Sequence, residues 1–462
     1  MKHTFKLAAL SMLCANAFAT PIYHPAGPNL TYGAVSNNQS IISNVTNPAA
    51  GAAVFTKEDS QYRFGILSSI GAGYEFGQID NLYTEIDASQ ATLQDAQSVN
   101  FTAVCPGSLT TTTQRAACAD AIAATLNMTA FAPVNAVLNT FQSDGYVSGF
   151  LSGHVPLMPF VISHKGLGGS FVLDANFSAI GNMTFISDPV ALQGDDVLAA
   201  VEAYIANNNS SAPFSITLSN TSSDSTLLVK AAAVAEIGLG YSRPVFKVDS
   251  GEFMAGFRAK YYKVGLSRSA QRLLAADGAE KTFDANKDYV YSSGFGVDLG
   301  ALWISNHYRV GAWIDNVNKP SFKFNDVDLT GYTDVTVTAK LSESATYVME
   351  PQLHLEGALY TESQNWVINA GLDAKAIKDP IGSEYQWATL SAGYATDSWW
   401  IPGFRVGYRA NMTGTELSYM TGGLTLFKSV TLDVAYGLDS VEVDGQTGPR
   451  SAMLNLGVEL SF

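Results

Sequence analysis

His354 has the neighbours best suited to chemistry, with Glu350 four residues before it and Glu356 two residues after. A histidine within reach of carboxylates suits general acid–base work. Hydrolysis would also need an activated nucleophile beside it, and no serine-containing motif accompanies this histidine. Alternation along 346–360 instead puts Glu350, Gln352, His354 and Glu356 on one polar face of a strand. No catalytic residue is assigned.

Asp284, Asn286 and Asp288 resemble the start of a calcium loop. Tyr289 stands where that loop needs glycine, and Phe295 where it needs glutamate. Cys105 and Cys118 are not spaced as C-x-x-C, so redox catalysis has no support, and no histidine lies nearby to complete a metal site. In an exported protein they are expected to form a disulfide. There is no phosphate loop or dinucleotide fingerprint. The reading therefore assigns no metal and no cofactor.

The chain carries 26 basic against 41 acidic residues, a formal charge of −15. A nucleic-acid partner would need clustered Lys and Arg, so none is expected. Only 15% of residues are charged, and 11% are aromatic. Aromatics at that level are unlike a disordered acidic chain.

The elements that must position these residues are strands. From Ala452 to Phe462 the sequence alternates without a slip. Ala452, Leu454, Leu456, Val458, Leu460 and Phe462 share one face; Met453, Asn455, Gly457, Glu459 and Ser461 share the other. A last strand of this kind ending on Phe462 is the usual insertion signature of outer-membrane barrels. The amino-terminus agrees. Lys2 and Lys6 precede a short apolar run, Leu7 to Leu13, and Ala17-Phe18-Ala19 is an A-x-A cleavage site. Residues 1–19 read as a signal peptide, which directs export through the inner membrane to the outer membrane. No later stretch offers ~18 uninterrupted apolar residues, and in lipid the remaining way to satisfy every backbone group is a closed barrel.

The fold expected is all-β, a transmembrane antiparallel β-barrel of ~14 strands. Residues 20–60 form an N-terminal plug, and 61–462 form the barrel with a helical external loop insert at 78–144. Strands are predicted at 61–77, 145–162, 167–186, 226–242, 252–267, 290–303 and 306–316. The remainder lie at 346–360, 364–374, 385–396, 403–412, 418–427, 430–438 and 452–462. Short and long connections alternate, as periplasmic turns and external loops do in this class. In the insert, Ile122, Leu126, Val134, Leu138 and Phe141 recur at helical spacing, with Pro133 breaking the helix. Its apolar face is expected to pack on itself or on the barrel rim. A second insert, 188–225, reads as a mobile polar loop. Most of the six tryptophans fall near strand ends, where interfacial belts lie.

Apolar strand faces go to lipid and polar faces to the lumen. That places Lys230, Glu236, Arg258, Lys260, Asp298, Arg309 and Asp315 inside, with Glu350, Glu356, Asp373, Arg405, Arg409, Asp433 and Glu459. Cross-strand pairing is the expected fate of such charges, because unpaired buried charge is costly. Pro156 and Pro159 inside a predicted strand, and Gly168-Gly169 before the next, are expected to break the ladder and weaken the wall.

Four stretches carry a resemblance along nearly the whole mature chain. They are Pro28-Asn29-Leu30-Thr31-Tyr32-Gly33, His154-Val155-Pro156-Leu157-Met158-Pro159, Gly240-Tyr241-Ser242-Arg243-Pro244-Val245, and the run from Ser292 to Gly300. In these the chain resembles the conjugal-transfer TraF-type family of outer-membrane barrels. More distantly it is similar to the long-chain fatty-acid transporter barrels (FadL-like), which have ~14 strands and an amino-terminal hatch carrying Asn-Pro-Ala. Asn47-Pro48-Ala49 stands in the comparable place. The resemblance implies a non-enzymatic barrel that binds or passes a hydrophobic small molecule. Its partners would be outer-membrane lipid, the outer-membrane insertion machinery and that hydrophobic ligand. The alternatives are a structural or assembly barrel of conjugation or the envelope and, behind it, a barrel hydrolase.

Overall fold

The computed structural model describes residues 26–461, apart from 37–39, 54–61, 82–83, 85–87, 89–97, 106, 165, 167, 207–213, 216–222, 273–288, 344, 397 and 444. The signal segment, Phe462 and the Asp284–Asp288 stretch therefore lie outside the described residues.

The strands close into one antiparallel barrel. In chain order they are β1 (Tyr62–Phe76), β2 (Tyr146–His154), β3 (Phe160–His164), β4 (Gly169–Ile186), β5 (Thr226–Val248), β6 (Gly251–Arg272), β7 (Val290–Ile304) and β8 (Tyr308–Asp315). Then follow β9 (Gln352–Tyr360), β10 (Trp366–Asp373), β11 (Trp387–Tyr394), β12 (Gly403–Asn411), β13 (Ser418–Leu426), β14 (Val430–Gly437) and β15 (Ser451–Ser461). β2 and β3 pair with the same two neighbours, β1 and β4, so they are two halves of one stave and the barrel has 14 strands. Closure is between the first and last strands, from Arg63 opposite Ser461 to Glu75 opposite Ser451.

The two faces sort as alternation requires. Ile237, Phe295, Leu359, Val406, Val434 and Leu454 are exposed on the outer wall. Glu236, Asp298, Glu356, Arg405, Asp433 and Asn455 are buried in the lumen. Water would penalise so wide an apolar exterior; hydrocarbon does not, and a lipid-facing Arg or Lys at midplane would cost ~2–4 kcal/mol.

A spanning strand needs only ~9–11 residues, whereas β5 has 23 and β6 has 22. Their external ends project as a rim that carries the inserts. Met183, Phe185, one apolar cluster with Ile122, Leu126, Phe131, Val134 and Phe141. The insert thus packs on itself and on the rim together. Its helices are α1 (Phe101–Val104), α2 (Thr112–Leu126) and α3 (Ala132–Asp144). Thr111 and Gln114 form a capping box at the start of α2. Cys105 and Cys118 are disulfide-bonded, with Cα atoms 5.4 Å apart.

Three expectations fail for physical reasons. Pro133 does not break the helix, because a π-turn at Asn127–Phe131 absorbs the missing N–H and the ring, leaving Pro133 in the first turn of α3. By length and composition the run Thr112–Asp144 would suffice to cross a membrane; here it packs within the insert. The 188–225 segment is not a featureless loop. It holds α4 (Gly194–Ala206), whose Val197 and Val201 are fully buried in the same cluster. Asn127 and Asn135 also each exchange two side-chain hydrogen bonds with the backbone of Leu192 and Val190. Finally, 346–360 is not one strand. Pro351 cannot donate to a ladder, and residues before it turn back to pair Thr346–Val348 with Ser321–Lys323. Tyr347 and Met349 are consequently buried instead of facing lipid.

Candidate functional site

The described plug residues, 26–36 and 40–53, run through the lumen and are held by wall charges. Glu356 accepts the N–H groups of Val35 (3.0 Å) and Ser36 (3.1 Å). Glu459 accepts from Ile41 N–H (2.8 Å) and Ser40 Oγ (2.6 Å). Asp433 accepts from Thr31 Oγ1 (3.0 Å), Arg409 donates to Leu30 O (3.0 Å) and Arg258 donates to Val45 O (3.4 Å). Charge-assisted hydrogen bonds are stronger than neutral ones, so these wall residues fix a segment that has little regular structure of its own.

Asn47-Pro48-Ala49 sits against β6 and β7. Asn47 and Ala49 are fully buried. The Asn47 side-chain oxygen accepts Ala49 N–H (3.0 Å), closing an Asx turn, while its amide donates to Ala301 O (3.4 Å). Gly256 and Gly300 face each other across the ladder here. A side chain at Gly256 would run into the Pro48 carbonyl, and one at Gly300 into the Asn47 side chain. The two glycines form the seat of the hatch.

On the external side of the plug is a cavity of about 230 Å³. His354, Trp313, Tyr385, Trp387 and Arg409 line it, together with Glu236, Arg258, Lys260, Asp298 and Asp315. Its charges are paired by neighbouring strands. Arg258 bridges Asp174 (2.8 Å) and Glu236, and Lys260 meets Asp298 at 2.6 Å. His354 lies between Asp373 (Nδ1, 2.6 Å) and Asp315 (Nε2, 3.2 Å) and is stacked on Trp313. Both ring nitrogens of His354 face carboxylates, and the ring is buried in that arrangement. Glu350, grouped with it in the sequence, lies instead on the external loop and pairs with Lys319 (3.1 Å). Among the described residues no cluster of three or more His, Cys, Asp or Glu could hold a metal ion.

The wall itself is interrupted beside the plug. β1 pairs with β2 from Ile70 to Phe76 and with β3 from Tyr62 to Phe64. Between these runs the ladder is replaced by isolated contacts. Leu157 N–H reaches Ile66 O (3.2 Å), Gly65 N–H reaches Pro159 O (3.2 Å) and Ser68 Oγ reaches Met158 O (2.7 Å). On its other side β1 slips register at Gly65–Leu67 and Leu67–Ile70.

Sequence reasoning missed Asp174, Asn176 and His154 as lumen residues. Period-two alternation of Asp174, Asn176 and Ser178 in β4 was the available signal. It also put tryptophans mainly in interfacial belts. Trp366, Trp399 and Trp400 are exposed, but Trp313 and Trp387 are buried inside the barrel.

An outward apolar wall around a charged lumen filled by its own amino-terminal segment defines a plugged transmembrane β-barrel. The chain belongs to the family described as "F plasmid transfer operon, TraF, protein", with the match spanning residues 44–373. No curated protein matches the sequence. Among solved structures it is similar to the toluene transporter TodX of Pseudomonas putida (13% identity, 96% of this chain and 99% of that one, TM-score 0.38). It is also similar to a FadL homologue of Pseudomonas aeruginosa (13% identity, 97% and 99%, TM-score 0.39).

Proposed function

We propose that this protein resides in the outer membrane and binds and passes a hydrophobic small molecule. The observation that carries the reading is the broken stave between β2 and β3, which interrupts the wall beside a plugged lumen. A molecule held in the external cavity leaves sideways through Val155–Pro159 when the plug and its hatch at Asn47-Pro48-Ala49 shift. Pro156 and Pro159 withhold ladder donors there, so parting the wall breaks few hydrogen bonds. The outer-membrane insertion machinery would assemble the barrel, with Phe462 as its signal, after cleavage behind Ala19.

The test is uptake of the lipophilic dye 1-N-phenylnaphthylamine by cells with and without the barrel. Faster uptake with the barrel is expected; equal uptake would contradict transport. A second reading, a structural barrel of conjugation or the envelope, is favoured by the family's description and by the folded, disulfide-braced external insert. It predicts a sealed barrel whose insert recruits another protein.

A further inference from the structure

The basic side chains lining the cavity divide sharply. Arg258, Lys260, His354 and His154 each have a carboxylate within ion-pair distance. Arg409 has none among the described residues. It is 2% exposed, and its guanidinium makes one hydrogen bond, from Nη1 to Leu30 O. Its Nε is buried without a partner. Asp373, whose field reaches Arg409, already accepts from His354, from Gln352 Nε2 (3.0 Å) and from Trp387 N–H (2.9 Å).

A buried guanidinium without a counter-ion is costly. Trp387 offsets part of that cost, with its ring 4.2 Å from the guanidinium carbon. The stack also fixes the plane of the fork. With Nη1 committed to Leu30, the Nε–Nη2 edge is the one left for a ligand, and that edge matches the two oxygens of a carboxylate. Trp313, Tyr385 and Trp387 supply apolar walls around it.

We propose that Arg409 is the recognition residue for a small organic acid, whose carboxylate lies on the Nε–Nη2 edge and whose apolar body lies against the aromatic lining. This rests on the reading that the lumen holds a small molecule, and it narrows that molecule to a carboxylate. The same contact would bear on the plug, because Arg409 also holds Leu30.

Benzoate is the probe, titrated calorimetrically into the folded barrel in detergent, with benzamide as its neutral isostere. Saturable benzoate binding is expected, with benzamide and inorganic phosphate weaker by about tenfold or more. Arg409→Gln should weaken benzoate by at least a similar factor. Arg309→Gln should not, since that guanidinium lies over Tyr360 and outside the cavity. Heat-modifiability on gels checks that each variant is folded. Should Arg409→Gln fail to fold, the benzoate–benzamide comparison in the wild type decides alone. Equal binding of benzoate and benzamide, equal binding of phosphate, or no benzoate binding would overturn the proposal. Dye uptake without benzoate binding would sink this inference and leave transport standing; benzoate binding without uptake would do the reverse.

Discussion

Arg405 and Asp433 form a buried ion pair two strands apart, with Nε 2.6 Å from Oδ1. Gly423 on β13 stands directly between them, in register with both. A side chain there would collide with the guanidinium and the carboxylate. Gly238 serves in the same way beneath the Arg258–Asp174 pair. Glycine on the middle strand is what lets lumen charges pair over a neighbour.

Gly423→Val should therefore part Arg405 from Asp433 and lower unfolding stability by roughly 3–5 kcal/mol, the usual effect of an uncompensated buried charge. Urea titration of the folded barrel in detergent measures it. A loss below about 1 kcal/mol would mean that the pair re-forms around the new side chain.

Gly300→Val should evict Asn47-Pro48-Ala49 from its seat while leaving the β6–β7 ladder paired. Ion conductance in planar bilayers should rise, and protease should cut the plug faster. Unchanged conductance and cleavage would show that the hatch does not depend on that seat.

Substitutions on the outer wall should follow depth. Val434, mid-strand and lipid-facing, should lose ~2–4 kcal/mol on change to Arg, whereas Leu438, beyond the end of β14, should lose ~0–1 kcal/mol. Heat-modifiability and unfolding in lipid vesicles report both. Equal losses would contradict the assigned membrane span.

The external hairpin Ile377–Lys378/Glu384–Tyr385 should be pH-sensitive. Burial pushes the Asp379 carboxyl from 3.8 up to about 7, against the opposing N–H groups of Ser383 and Gly382. Between those values the folded hairpin keeps a proton that the unfolded chain has released. Its stability is fullest below pH 3.8 and falls as pH rises through about 7. Hydrogen exchange at Gly382 and Ser383 should show faster opening at pH 8 than at pH 5 beyond the intrinsic rate change, and Asp379→Asn should remove the difference.

Strand positions were legible because one face meets hydrocarbon and the other a polar lumen, which writes period two into β12, β14 and β15. The reading failed where that pressure stops. Past Pro351 the chain leaves the wall, and Tyr347 and Met349 answer to a loop core instead of lipid. In 188–225 the apolar content is confined to a few residues of α4, too few to stand out beside Asn and Ser. The lumen charges could be named from alternation, but their partners depend on register between strands far apart in sequence. That Arg409 lacks a carboxylate while Arg258 has two follows only from the closed barrel. The Asn47-Pro48-Ala49 seat is likewise made by Gly256 and Gly300, whose facing positions no local pattern records.

Native mass spectrometry on barrel extracted gently from outer membranes tests the transport reading most directly. The expected spectrum shows folded protein carrying one lipophilic small molecule, lost when Trp313 and Trp387 are replaced by alanine in a variant that still folds. Folded protein that is empty under the same extraction, with another protein held on its external insert, would contradict it.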